Sequence, residues 1–267
     1  MIRDITIGQY YKADSVIHRL DPRVKLMGTL IFIISLFMGM NIWIYAVVTV
    51  ALAVVIKMSR IPLKFMVRGL KSIVILIIIS AVFNLFLTPG DVLIQIWKLT
   101  ITYQGLKMAI FMVVRLIYLI VGTSLMTLTT TPNNLTDGLE KGIGFLKVIK
   151  VPVHEIAMMM SIALRFIPIL IEETDKIMKA QMARGADFEN GSLIKRAKAM
   201  VPILVPLFVS AFRRANELAM AMEARCYHGS EGRTKMKPLK YEKRDRIAYI
   251  SMVLYLGVII IVKIIAA

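Results

Sequence analysis

The sequence predicts an all-α integral membrane protein of about five transmembrane helices, with long amphipathic helices on the cytoplasmic side. Three observations carry that fold class. Hydrophobic residues fill 58% of the 267 positions and charged residues only 19%, too apolar a balance for a soluble domain of this size. Apolar runs of membrane-crossing length alternate with loops whose charge is almost entirely Lys and Arg. Before the last of these runs lie two long segments that begin apolar, turn amphipathic at helical spacing, and end in the same small cluster around an arginine. A net charge of +17 raises the question of nucleic acid, but no basic patch is interleaved with aromatics and the cations collect in loops, as membrane topology requires. No nucleic-acid partner is expected. The single cysteine, Cys226, excludes an intramolecular disulfide and a cysteine-based metal site, and three scattered histidines point to no metal centre.

Residues 1–25 are polar, carry Arg3, Lys12, Arg19, Arg23 and Lys25, and are expected to form an uncleaved cytoplasmic lead-in. The Asp21-Pro22 pair marks a helix start. Residues 24–58 are charged only at Lys25 and Lys57. One helix of that length would overrun a hydrocarbon core of roughly 30 Å, so Gly39 and Asn41 are expected to turn the chain between spans at 24–40 and 42–58. Trp43 and Tyr45 then fall at the outer interface. Lys57, Arg60, Lys64, Arg68 and Lys71 form a basic loop without an acid, which the positive-inside rule places in the cytoplasm. A third span at 72–87 ends at Thr88-Pro89-Gly90-Asp91, and 92–102 is expected to lie along the outer interface with Trp97 and Tyr103 as anchors. The fourth span, 106–128, holds Arg115 near its middle, where a cation must face protein or water, as a functional group or as a tie between helices. The last span is 247–265. These bounds give an N-terminal membrane domain at 1–128, a cytoplasmic domain at 129–245 and a C-terminal transmembrane helix at 246–267, with the N-terminus in the cytoplasm and the C-terminus outside.

The cytoplasmic domain carries the most specific pattern. Its first long segment has an apolar half at 157–171, containing Pro168, and the second has one at 194–212, containing Pro202 and Pro206. Ile171, Thr174, Ile177, Met178 and Met182 then recur on one helical face opposite Glu172, Glu173, Asp175, Lys176 and Lys179. Phe212, Ala215, Leu218, Ala219 and Met222 do the same opposite Arg213, Arg214, Glu217 and Glu223. The first segment ends in Ala183-Arg184-Gly185 and the second in Ala224-Arg225-Cys226, and a shift of 41 residues lays Ala180 on Ala221, Ala183 on Ala224 and Arg184 on Arg225. One arginine at a helix C-terminus is explained by the helix dipole; two in matching contexts point to a duplicated device.

No enzyme signature is present: the chain has no glycine-rich phosphate loop, no zinc-protease histidine pair and no serine-hydrolase elbow, and no residue is assigned a catalytic role. If the chain serves nucleotide-driven transport, another subunit must hydrolyse the nucleotide. The runs His18-Arg19-Leu20-Asp21-Pro22-Arg23-Val24-Lys25-Leu26, Ala163-Leu164-Arg165-Phe166-Ile167-Pro168, Ala180-Gln181-Met182-Ala183-Arg184-Gly185-Ala186-Asp187 and Glu223-Ala224-Arg225-Cys226-Tyr227 resemble the transmembrane T component of energy-coupling factor (ECF) transporters. The similarity runs essentially end to end. It implies that the two segments are coupling helices whose Ala-Arg-small ends dock into two ABC-type ATPase subunits in a prokaryotic cell membrane. It also implies a membrane-embedded substrate-binding S component for a vitamin or a transition-metal ion. ATP and Mg would then sit on the ATPases, with no cofactor on this chain.

Cys226 stands where the first motif has Gly185, which keeps a small residue in place. Met159, Met160, Pro168, Pro202, Leu204 and Pro206 are candidates for the S-component seat, because flexible methionines and proline bends suit a surface that repacks against different partners. Without the resemblance, two other readings stand. One is a nonenzymatic scaffold or channel, unrelated to ATPases, whose positive helix ends meet anionic lipid. The other is an intramembrane enzyme using Arg115 or the Glu172-Glu173 pair.

Overall fold

The computed structural model describes residues 10–71, 73–96, 99–186, 188, 192–229, 236 and 238–265. Among them run α1 (Pro22–Phe37), α2 (Ile42–Ser59), α3 (Leu63–Lys71), α4 (Val74–Leu87), β1 (Val92–Ile96), β2 (Leu99–Thr102), α5 (Tyr103–Thr129), α6 (Pro132–Gly142), α7 (Val153–Ala183), α8 (Leu193–Ala224) and α9 (Lys243–Ile265). A 3-10 turn at Gly144–Ile149 precedes α7. The protein is an all-α integral membrane protein. Helices α2, α5, α7 and α9 are long and apolar enough to cross a bilayer, and α3 with α4 make a fifth if they cross as one bent segment.

Contacts divide the chain into two compact units, Gly8–Gly142 with Leu239–Ala267 and Ile143–Pro238. In the first, α5 packs against α1, α2, α3 and α4, while α1 also meets α6 and α9, and α9 meets α2. Two buried clusters fill it. Leu36, Ile44, Tyr45, Val48 and Ile259 form one, and Leu52, Ile61, Met66, Leu125 and Leu128 the other. Helix α6 sits close on α1 because Gly138 lacks a side chain: a Cβ there would lie 2.8 Å from the Cβ of Pro22. The second unit is the α7–α8 pair.

Several expected elements shift. The first span is only 16 residues, Pro22–Phe37, or about 24 Å at 1.5 Å per residue, because Asp21 caps its start and the chain leaves the helix before Gly39. The basic loop at 57–71 contains a helix, α3, whose Met66 is fully buried among Leu52, Leu125 and Leu128. Within 92–102, expected along the outer interface, Val92–Ile96 and Leu99–Thr102 pair as antiparallel strands, with Val92 opposite Thr102 and Ile96 opposite Leu99. Both strands are rich in β-branched residues, and pairing supplies partners for their backbone groups. Tyr103 is exposed at the start of α5, whereas Trp97 lies outside the described residues, as do Arg3, Ser72 and Asp187. Helix α7 is of span length although it falls in the stretch expected to stay on the cytoplasmic side, because its apolar half is charged only at Arg165.

Arg115 is a tie between helices. It is buried, its Nε donates to Tyr45 Oη at 3.0 Å, and its guanidinium lies over the Phe37 ring at 5.0 Å. A second knot closes the basic end of α1. Asp21 accepts from the Arg23 backbone at 2.9 Å and from its guanidinium at 2.8 and 3.0 Å, while Arg23 stacks 3.7 Å above Tyr241. Asp245, 2% exposed, accepts from the Asp21 backbone at 2.9 Å and from the Glu242 backbone at 2.8 Å, which fixes the start of α9 to the start of α1. Lys25 donates to the Thr129 carbonyl at 2.8 Å and so joins α1 to the end of α5.

Burial pushes the Asp21 carboxyl up, but the hydrogen bonds from Arg23 outweigh it and hold it below its ordinary 3.8. A depressed carboxylate stabilises the fold above its unfolded value, and that contribution is lost as pH falls. Thermal midpoints of the solubilised chain should therefore not depend on Asp21 between about pH 5 and 8, and should fall in an Asp21-dependent way only below about pH 4. Asp245→Ala leaves the buried N–H of Asp21 and the half-buried N–H of Glu242 without their acceptor. It should cost about 2 to 4 kcal/mol and lower the midpoint at every pH, and an unchanged midpoint would refute the tie between α1 and α9.

Candidate functional site

Helices α7 and α8 run antiparallel. Gln181 near the end of α7 donates to the carbonyl of Pro202 early in α8, Glu173 pairs with Arg214 at 3.3 Å, and Tyr227 just past α8 donates to Met158 Sδ near the start of α7 at 3.1 Å. An apolar hollow of about 270 Å³ lies along the seam, with Ile162, Phe166 and Leu170 facing Ala215, Leu218 and Met222. Glu173 and Arg214 are themselves 41 residues apart, so equivalent positions of the two segments meet near the middle of the pair. The arrangement is an approximate two-fold.

Arg184 and Arg225 therefore stand at opposite ends. The 32 residues of α8 span about 48 Å at 1.5 Å per residue, which sets the scale of their separation.

Both ends close in the same way. After α7, the N–H of Ala186 donates to the Gln181 carbonyl and that of Gly185 to the Met182 carbonyl, each at 3.0 Å. After α8, Tyr227 donates to Met222 at 3.0 Å and Cys226 to Glu223 at 2.9 Å. This is the Schellman pairing, shifted by 41 residues. Its geometry needs a left-handed residue after each arginine, and Gly185 (φ 88°) and Cys226 (φ 54°) supply it. Because backbone N–H groups satisfy these carbonyls, neither arginine side chain is needed as a cap. Ala183, Arg184, Gly185, Ala224, Arg225 and Cys226 are all exposed, and among the described residues neither guanidinium has a hydrogen-bond or ion-pair partner. Arg115, Arg23 and Arg214 are all engaged.

The six candidates for an S-component seat do not form one patch. Met159 and Met160 are exposed near the start of α7, and Pro202 and Leu204 are exposed near the start of α8, the opposite end of the pair. About 20 residues of α7, or about 30 Å, separate them, with Pro168 exposed between and Pro206 half-buried. Of the residues considered for intramembrane chemistry, Arg115 is tied to Tyr45 and Glu173 is paired with Arg214, while Glu172 is exposed. Among the described residues, no group of three His, Cys, Asp or Glu side chains converges to hold a metal ion.

The family model described as CbiQ, cobalt transport protein, matches residues 13–236, most of the chain. The chain belongs to this family. Its relatives include the energy-coupling factor transporter transmembrane protein EcfT of Clostridium kluyveri, 57% identical over 250 residues that cover 93% of each chain. Those of Thermosediminibacter oceani (56% over 250 residues, 94% of each chain) and Bacillus subtilis (47% over 254 residues, 95% of this chain and 96% of the relative) share the same description. The protein is thus a transmembrane component of an energy-coupling factor transporter.

In this family member, size alone does not describe the residue after each arginine, since backbone handedness is the stricter demand. Glycine behind Ala-Arg at a helix end signals that turn in the first motif, and cysteine hides it in the second. The Glu173–Arg214 pair also escapes a reading by periodicity, which places both on wet faces without bringing them together. A Cβ added at Gly185 would meet nothing within 4 Å, so Gly185→Ala isolates the backbone cost. It should destabilise the α7 end by about 1 kcal/mol, and Cys226→Gly should stabilise the α8 end by a similar amount. Hydrogen exchange at Ala186 and Tyr227 reads both, and exchange that moves in neither variant would refute the shared turn.

Proposed function

We propose that this chain transmits ATP-driven closure of two cytoplasmic ABC-type ATPase subunits to a membrane-embedded S component. Arg184 docks into one ATPase and Arg225 into the other. The observation that carries this reading is the pair of guanidiniums without partners among the described residues, held by matching backbone turns at opposite ends of an antiparallel pair. Two ATPases that move relative to each other can drive a scaffold only through rigid arms fixed one to each, and helices clamped side by side are such arms. Small neighbours leave each guanidinium as the one large group at its tip, suited to charge-assisted hydrogen bonds in a groove. Hydrolysis, with ATP and Mg, belongs to the ATPases, and this chain performs no chemistry. The S component binds the vitamin or transition-metal ion and seats on the exposed apolar surface of α7 and α8. Met159 and Met160 serve one end of that seat and Pro202, Leu204 and Pro206 the other, with Pro168 between them.

Truncating one member of a buried charged pair costs about 2 to 5 kcal/mol, whereas a screened surface arginine contributes under about 1, so the magnitude separates docking from a dipole effect. Arg184→Ala or Arg225→Ala should weaken copurification of ATPase subunits or uncouple hydrolysis from uptake. The double substitution should abolish transport while the chain still inserts, and Arg→Lys should restore only part, since the planar fork is lost. A double alanine variant that assembles with both ATPases and transports at the normal rate would overturn the assignment.

The same reading puts the N-terminus and the α7–α8 turn in the cytoplasm and the C-terminus outside, following the basic segments. Single cysteines introduced at Lys64 and Ser192, with Cys226 replaced, should resist an impermeant thiol reagent applied from outside. Labelling of either would refute the orientation.

A further inference from the structure

A basic hollow lies within the unit formed by Gly8–Gly142 and Leu239–Ala267. Where α2 ends and α9 begins, Asp14, Ser15, Val16, Arg19, Lys57, Met58, Arg60 and Arg244 surround an open hollow of about 600 Å³. At about 30 Å³ per water, that is far more room than a single ion needs. The charge is unbalanced. Arg19 is paired with Asp14, and Arg244 with Glu242 at 2.7 Å, while among the described residues Lys57 and Arg60 form no ion pair, Arg60 feeling Asp14 only through space, so four cations face the single carboxylate of the hollow. Arg244 Nε is buried at the edge of the hollow and makes no hydrogen bond.

The position is also informative. Helix α2 carries no charge until Lys57, and α9 carries none from Ile247 to Val262, so the charged end of each span-length helix meets the apolar stretch at this hollow. Val16 and Met58 on its rim are exposed to 53% and 43%, apolar surface that a site for a water-soluble anion has no use for. Arg60 ends α2 in a left-handed turn, a conformation that costs energy for a non-glycine residue and holds it beside Lys57.

We infer that this hollow binds the phosphate headgroup of an anionic phospholipid, with Lys57, Arg60 and Arg244 on the phosphate and Val16 and Met58 against the glycerol and the first acyl carbons. Basic pockets between membrane helices at the interface favour such headgroups. Guanidinium forks match phosphate oxygens, and Lys57 adds a point charge. The lipid would bridge the ends of α2 and α9 and act as a third component of their packing.

The test titrates the delipidated, detergent-solubilised chain with phosphatidylglycerol or phosphatidylcholine and counts bound lipid by native mass spectrometry. Phosphatidylglycerol should be retained selectively. Lys57→Ala with Arg60→Ala should lower its affinity roughly 30-fold, which is about 2 kcal/mol at 1.4 kcal/mol per tenfold. Lys57→Arg with Arg60→Lys keeps both charges, should retain most of the binding, and shows that the loss in the alanine variant is not misfolding. Equal retention of both lipids, or unchanged phosphatidylglycerol binding in the alanine variant, overturns the inference. Displacement of phosphatidylglycerol by millimolar inorganic phosphate overturns the lipid assignment in favour of a soluble anion. Because neither substitution touches α7 or α8, ATPase copurification should be unaffected, so this test and that of Arg184 and Arg225 fail independently.

Discussion

Backbone closure of the two helix ends is the constraint on which the α7–α8 unit depends. A helix leaves its last carbonyls without intrahelical donors, and a nearby arginine side chain is one way to satisfy them. Here the N–H groups of Gly185, Ala186, Cys226 and Tyr227 do so instead. Two consequences follow from that choice. The arginines are released from capping and have no partner among the described residues, and the residue behind each must adopt a left-handed conformation. Glycine does this without steric cost, whereas Cys226 holds a small strain at the tip of α8.

Antiparallel pairing turns two equivalent ends into two separate tips. Had α7 and α8 packed parallel, Arg184 and Arg225 would lie side by side and could address only one partner. Packed as they are, with Glu173 against Arg214 near the centre and an apolar seam running from it toward the start of α7, each arginine ends its own arm. The internal duplication seen as a 41-residue shift thus becomes an approximate two-fold axis.

The membrane unit is held differently. Apolar helices gain little by leaving lipid for one another, so polar ties carry much of their register. Arg115 to Tyr45, Ser35 to Tyr255 and Thr49 to Tyr118 each join two helices, the first buried, the second half-buried and the third on the outer face of the unit. Asp245 and Lys25 do the same at the basic end, where backbone donors and carbonyls would otherwise be left without partners. The cost of a cation within an apolar helix is met here by a phenol and a ring face, which accounts for Arg115 without any chemistry.

The sequence by itself determined the helical membrane class, most helix boundaries, the basic segments and the two Ala-Arg-small ends. These depend on local composition, on a 3.6-residue period and on capping residues such as Asp21, all of which act over one or two turns. It also showed that the two ends are equivalent, because duplication leaves matching residues at a fixed shift. It did not reveal that 63–71 is helical, since charge counting sees Lys64 and Lys71 while the burial of Met66 depends on α2 and α5. Nor did it separate Met159 from Leu204, because periodicity assigns a face and says nothing about which end of a neighbouring helix that face meets. The partnership of Asp21 with Asp245 spans 224 residues, and the meeting of Glu173 with Arg214 requires the antiparallel pairing. Such contacts are set by packing between distant segments, so only the tertiary structure decided where the polar ties fall and that the two arginines face apart.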